Sequence, residues 1–192
     1  MSIKTLPSDL REAVATITVN EQTAETVMAG LSSFQLNWQP NGGKAWSILQ
    51  CLEHLNKAHN AYLKSMLPVL RAADPAKIPR RGDYVPGFCA GVFLSMLAPP
   101  VKVKVPAPSQ IIPSSNLDYD KVLAAWLQTH KEIRQFATEA ASVDLASLSM
   151  QNPFVKVLNV SLATALQILV THEHRHLWQA GQVRRALEAA GA

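Results

Sequence analysis

The residues with the most chemistry in this chain lie near its end, in Thr171-His172-Glu173-His174-Arg175-His176-Leu177-Trp178-Gln179. On a helix, His172 and His176 stand one turn apart, roughly 5–6 Å at Cβ, a separation that suits a shared metal ion. Neutral imidazole is a good ligand for Zn, Ni, Cu or Fe. At 100° per residue the apolar stripe is Leu162, Ala165, Leu166, Leu169, Ala180, Val183 and Leu187. His176 falls at its centre, His172 and Glu173 on its two edges, and His174 on the solvent side. A polar group in mid-stripe is costly without a partner. The pair therefore reads as two metal ligands, against the simpler reading of hydrogen-bonded core histidines.

The same residues match H-E-x-x-H literally, with Glu173 as the general base of a zinc protease. The context departs from that pattern. Gln179 and Gln182 stand where the extended motif needs glycine and histidine, and Glu188 lies on the same helix. Glu173 and His176 also form E-x-x-H, but a di-iron bundle needs a second such pair and two more inward glutamates.

A third ligand must come from another helix, and His54, His59 and His130 are the candidates. Wheel geometry leaves the choice open. His59 lies in the main apolar stripe of its helix, and His130 in the stripe of another. His54 projects about 120° away from its stripe, toward Ser47, Cys51, Ala58, Ala61 and Ser65, small residues that permit close helix approach.

Four helical segments must position these groups. The first begins near Pro7-Ser8-Asp9, where Ser8 can cap, and carries Leu10, Ala13, Val14, Ile17, Ala24, Met28 and Leu31 on one face. The second runs from about Trp46 to Leu70 with the stripe Ile48, Leu52, Leu55, Tyr62, Leu63 and Met66. The third starts at Asn116-Leu117-Asp118 and continues to about Ala140. The fourth runs from about Ser161 to Ala190. Between the second and third, residues 72–118 hold most of the prolines, with one short helix near residues 86–97. The apolar run Val85–Leu97 reads as a buried helix or a lid, and a connection of this length is usually functional. No set of alternating strands appears. The expected fold is all-α: one domain over residues 1–192, a four-helix bundle of antiparallel helices with a long crossover between helices 2 and 3.

Composition narrows the function. The chain is 48% apolar and 17% charged, which is globular. No apolar run reaches the ~20 residues of a membrane span, and the N-terminus lacks the apolar core of a secretory signal. Cys51 and Cys89 have neither metal-site spacing nor disulfide-scaffold density, so free thiols in a cytoplasmic protein are expected. The net charge of +4 is modest and scattered, which argues against nucleic acid as a partner.

Two motifs together carry a family resemblance. Trp46-Ser47-Ile48-Leu49-Gln50-Cys51-Leu52-Glu53-His54-Leu55 resembles the first metal motif of the DinB-like superfamily, and HEHRHLWQ from His172 to Gln179 resembles the second. Pro113-Ser114-Ser115 before the third helix fits the same order. The resemblance implies a three-histidine centre, with His54, His172 and His176 as ligands of one divalent ion (Zn, Ni or Fe), and a homodimer. Characterised members include bacillithiol- and mycothiol-dependent transferases and a mycothiol-dependent maleylpyruvate isomerase.

Three readings follow. In the first, a low-molecular-weight thiol enters the open metal position and, as thiolate, attacks a small electrophile. Arg80, Arg81, Lys102 and Lys104 are candidates for its carboxylates, though solvated surface is the simpler account. In the second, a metal-bound water hydrolyses substrate with Glu173 as base, unless Glu173 only orients a histidine. In the third, the bundle binds metal without turnover. His59 and His130 are expected to be hydrogen-bonded core histidines, and Trp178 to face a partner.

Overall fold

The computed structural model describes residues 5–100 and 106–191. Four long helices dominate: α1 (Ser8–Met28), α4 (Ile48–Ala72), α6 (Tyr119–Glu139) and α7 (Leu162–Ala190). Between α1 and α4 lie the short α2 (Ser33–Asn37) and α3 (Pro40–Gly43), and between α4 and α6 lie α5 (Phe88–Leu97) and a 3₁₀ turn at Ser109–Ile111. The strands β1 (Ser149–Gln151) and β2 (Asn159–Ser161) pair antiparallel with Met150 opposite Val160. Each has three residues, too few for a period-two pattern, which is why alternation did not reveal them.

The helix starts follow local chemistry. Ser47 and Gln50 form a reciprocal capping box at α4, Asp118 accepts from Lys121 N–H at 3.1 Å, and Ser161 accepts from Thr164 N–H at 3.1 Å. Gly191, at φ 65°, closes α7 in the left-handed conformation that glycine adopts without strain. The expectation for Ser8 needs correction. Pro7, in extended conformation, takes the cap position of α1, and the Ser8 hydroxyl donates to the Asp83 carboxylate instead.

Two apolar clusters stack along the bundle. One joins the first half of α1, the second halves of α4 and α6, and the first half of α7. The other joins the opposite halves of the same four helices. Hence α1 and α7 run one way, and α4 and α6 the other. Since α4 packs on both α6 and α7, and α1 on both α7 and α6, each helix has one antiparallel and one parallel neighbour. The expected all-antiparallel arrangement thus holds only for α4 with α7 and α1 with α6. The parallel pair α4 and α6 explains the crossover: the chain must return the length of the bundle before α6 begins.

Between the two clusters lies a buried polar layer of Asn20, Asn56, His59, Thr129, His130 and Glu173. On every long helix it interrupts the apolar stripe at mid-height. The short helix α5 departs from expectation in one respect: it has no buried residue, and Phe88 is 87% exposed. It leans on α7, where Arg175 Nη1 donates to the Met96 carbonyl at 3.1 Å. Among the described residues, no helix is long and apolar enough to cross a membrane.

Candidate metal centre

His54 projects from the flank of α4 that faces α7, and His172 and His176 project from α7. Ring nitrogens of the three lie within 4.8 Å of one another. His54 Nε2 is 3.3 Å from His172 Nε2, which is 3.1 Å from His176 Nε2. His54 and His176 are buried, while His172 is partly exposed. The sequence left three candidates for the partner of the α7 pair, and the fold brings His54 to it.

Hydrogen-bond inventory tests whether these nitrogens suit a cation. The Ile111 carbonyl can only accept, so His54 Nδ1, 2.8 Å away, carries the ring proton and Nε2 presents a lone pair. The single Nε2–H available to neutral His172 could serve only one of its two neighbours. Four ligands at the usual Zn–N length of about 2.0–2.1 Å stand about 3.3–3.4 Å apart at tetrahedral angles. The observed spacings approach that figure, so the residues fit a divalent ion. Burial drives all three pKa values down, and for His172 and His176 neighbouring imidazoles lower them further. The rings are thereby held neutral, the state a metal ligand needs.

Trp46 walls this group, its ring centroid 4.7 Å from His54 and 5.7 Å from His176. Its position eight residues before His54 was the available signal. The Ile111 carbonyl had none, because the contact spans a proline-rich connection. Gln179 adjoins His176, yet the buried His176 Nδ1 has no partner in hydrogen-bonding geometry.

Glu173 faces elsewhere. Its Oε1 accepts from Trp126 Nε1 at 2.9 Å and lies 2.5 Å from His130 Nε2, while Oε2 accepts from Asn20 Nδ2 at 2.9 Å. The carboxylate is fully buried and ties α7 to α1 and α6. His130 Nδ1 donates to Glu21, which Arg134 grips with two nitrogens. His59 is fully buried as expected, but neither ring nitrogen has a partner in hydrogen-bonding geometry, although the Leu169 carbonyl adjoins the ring. His174 is exposed and Trp178 half-buried. Arg80 is engaged by Asp9 and Asp83, Arg81 is exposed, and Lys102 and Lys104 lie outside the described residues. Cys51 is buried, Cys89 is exposed, and both are free thiols.

Neither the curated proteins nor the solved structures yield a match to this chain. The family model of the DinB superfamily matches residues 16–180, a span that contains the Trp46–His54 segment and the α7 histidines. With the bundle and the histidine group already in place, that match over most of its length makes the chain a member of the DinB superfamily.

Proposed function

We propose that His54, His172 and His176 hold one divalent metal ion and that the chain is a metal-dependent thiol S-transferase acting on a small electrophile. The observation that carries the metal assignment is the convergence of three imidazoles at ligand spacing, with the His54 tautomer set by Ile111. Once bound, such an ion supplies an acidic open position that lowers the pKa of an entering thiol. The chain's own contribution is to keep the rings neutral, to orient His54 through Ile111, and to exclude water on the Trp46 side.

The disposition of Glu173 favours thiol transfer over hydrolysis. A hydrolase reading requires a carboxylate free to take a proton beside the metal, and both Glu173 oxygens are engaged by Asn20, Trp126 and His130. A thiol deprotonated on entry has less need of such a base. The exposed apolar face of α5, set against α7, offers a wall for an electrophile. In this reading the partner is a low-molecular-weight thiol and the assembly a homodimer.

The test pairs metal analysis with conjugation of monobromobimane or chlorodinitrobenzene to low-molecular-weight thiols. We expect conjugation to disappear on chelation, return on metal addition, and be lost with site metal in His176→Ala. Full metal stoichiometry in His176→Ala would overturn the ligand assignment. Ester or amide hydrolysis without thiol would favour the hydrolase, and tight metal binding with neither activity the non-catalytic bundle.

A further inference from the structure

The polar layer holds a second group of ligand-type side chains. Donor atoms of His59, His130 and Glu173 lie within 4.8 Å of one another, and all three residues are fully buried. We propose that they form a second cation site, for a divalent first-row transition metal, deeper in the bundle than the three-histidine group.

Three observations converge on this. First, neither ring nitrogen of His59 has a partner in hydrogen-bonding geometry, although the Leu169 carbonyl adjoins the ring. An unsatisfied buried polar group costs about 1–3 kcal/mol and calls for an ion or another partner. Burial also pushes the His59 pKa down to about 4, so the ring offers a lone pair rather than a charge.

Second, both nitrogens of His130 face carboxylates: Nδ1 is 2.9 Å from Glu21 Oε1 and Nε2 is 2.5 Å from Glu173 Oε1. A neutral imidazole can donate to only one of them. Glu21, clamped by Arg134, is placed to accept from Nδ1. Nε2 and the Glu173 oxygen stand at hydrogen-bond length, so a cation taking both as ligands displaces the proton they share and parts them to ligand spacing. A carboxylate behind the outer nitrogen of a histidine is the usual support of a metal ligand.

Third, Glu173 is oriented by one donor on each oxygen, Trp126 Nε1 on Oε1 and Asn20 Nδ2 on Oε2. Ligating carboxylates are commonly fixed in this way. Two imidazoles and one carboxylate suit Zn(II) or Fe(II). The two groups share their scaffold: α4 supplies His54 to one and His59 to the other, and α7 supplies the adjacent His172 and Glu173.

The test is a Zn(II) count on the chelator-treated full chain by equilibrium dialysis and elemental analysis. The wild type should take about two equivalents, His59→Leu about one, His176→Ala about one, and the double variant none. Leucine suits position 59 because it removes a side chain without hydrogen bonds from an enclosed position, and circular dichroism checks its fold. If His59→Leu does not fold, His176→Ala decides: one residual equivalent supports the second site and none overturns it. A wild type that binds a single equivalent, unchanged by His59→Leu, also overturns the proposal. Loss in His59→Leu with no loss in His176→Ala would leave this site standing and sink the three-histidine assignment.

Discussion

Replacing Glu173 by alanine should be among the most destabilising single changes in this chain, and its cost follows from the contacts. The substitution strips the acceptor from three buried donors: Trp126 Nε1, Asn20 Nδ2 and, where protonated, His130 Nε2. Each buried donor left unsatisfied costs about 1–3 kcal/mol. Their sum overstates the effect, because neighbouring groups relax together. About 4 kcal/mol is the working figure. For a chain of this size each kcal/mol moves Tm by about 2–4 °C, so a fall of about 8–16 °C is expected. The assay is thermal unfolding by far-UV circular dichroism on chelator-treated protein, so that loss of a bound ion does not contribute. Glu173→Gln keeps an oxygen toward Trp126 but sets an amide nitrogen against Asn20, whose own amide can flip, and should cost about half as much. A fall below about 3 °C for Glu173→Ala would refute the view of this carboxylate as the tie between α7, α1 and α6.

Other perturbations test separate parts of the structure. Cys51 is fully buried and burial alone pushes its thiol up to about 12, so a disulfide reagent at pH 8 should modify only Cys89 in native protein and both cysteines in denaturant; rapid native labelling of Cys51 would contradict the packing of α4. Burial depresses His54, His172 and His176, and takes His59 to about 4, so an unfolded chain gains protons below about pH 6.5 that the folded chain does not accept. Stability of chelator-treated protein should therefore fall as pH drops from 7 toward 5, and a flat Tm over that range would argue against neutral buried rings. Asn152 accepts from Phe154 and Val155 N–H and donates to the Tyr62 hydroxyl at 3.0 Å, anchoring the β1–β2 loop to α4; Asn152→Ala should lower Tm by about 4–8 °C, given about 2 kcal/mol for the lost contacts, and no change would show that the loop holds without it.

Much of the fold was legible because it is written locally. Hydrophobic recurrence every three to four residues located the last three long helices within about two residues of their ends, and the start of the first, whose stripe ran on to Leu31 beyond its end at Met28. Ser47, Asp118 and Ser161 mark starts because each cap acts over three residues. Ser8 misled, since Pro7 beside it takes the cap position and a distant aspartate claims the hydroxyl. The exposure of α5 was hidden for a related reason: its composition is that of a core helix, and only the path of the crossover leaves it outside.

The sequence by itself established that the chain is helical, that His172 and His176 share a helix face, and that polar groups interrupt otherwise apolar stripes. It did not decide which histidine of α4 meets that pair. The wheel left the choice open, with His59 in the main stripe and His54 on a flank, and family resemblance pointed to His54. Tertiary structure shows why both are buried: α4 packs against α6 on one flank and α7 on the other, so His54 joins the α7 pair while His59 turns toward His130. Likewise, Glu173 sat on a stripe edge, and only the position of α6 beside α1 made that edge interior. The angle between two side chains on one helix is set by backbone geometry that any local segment carries. Convergence between helices depends on their relative rotation, direction and offset, which arise only when all four stripes are buried at once.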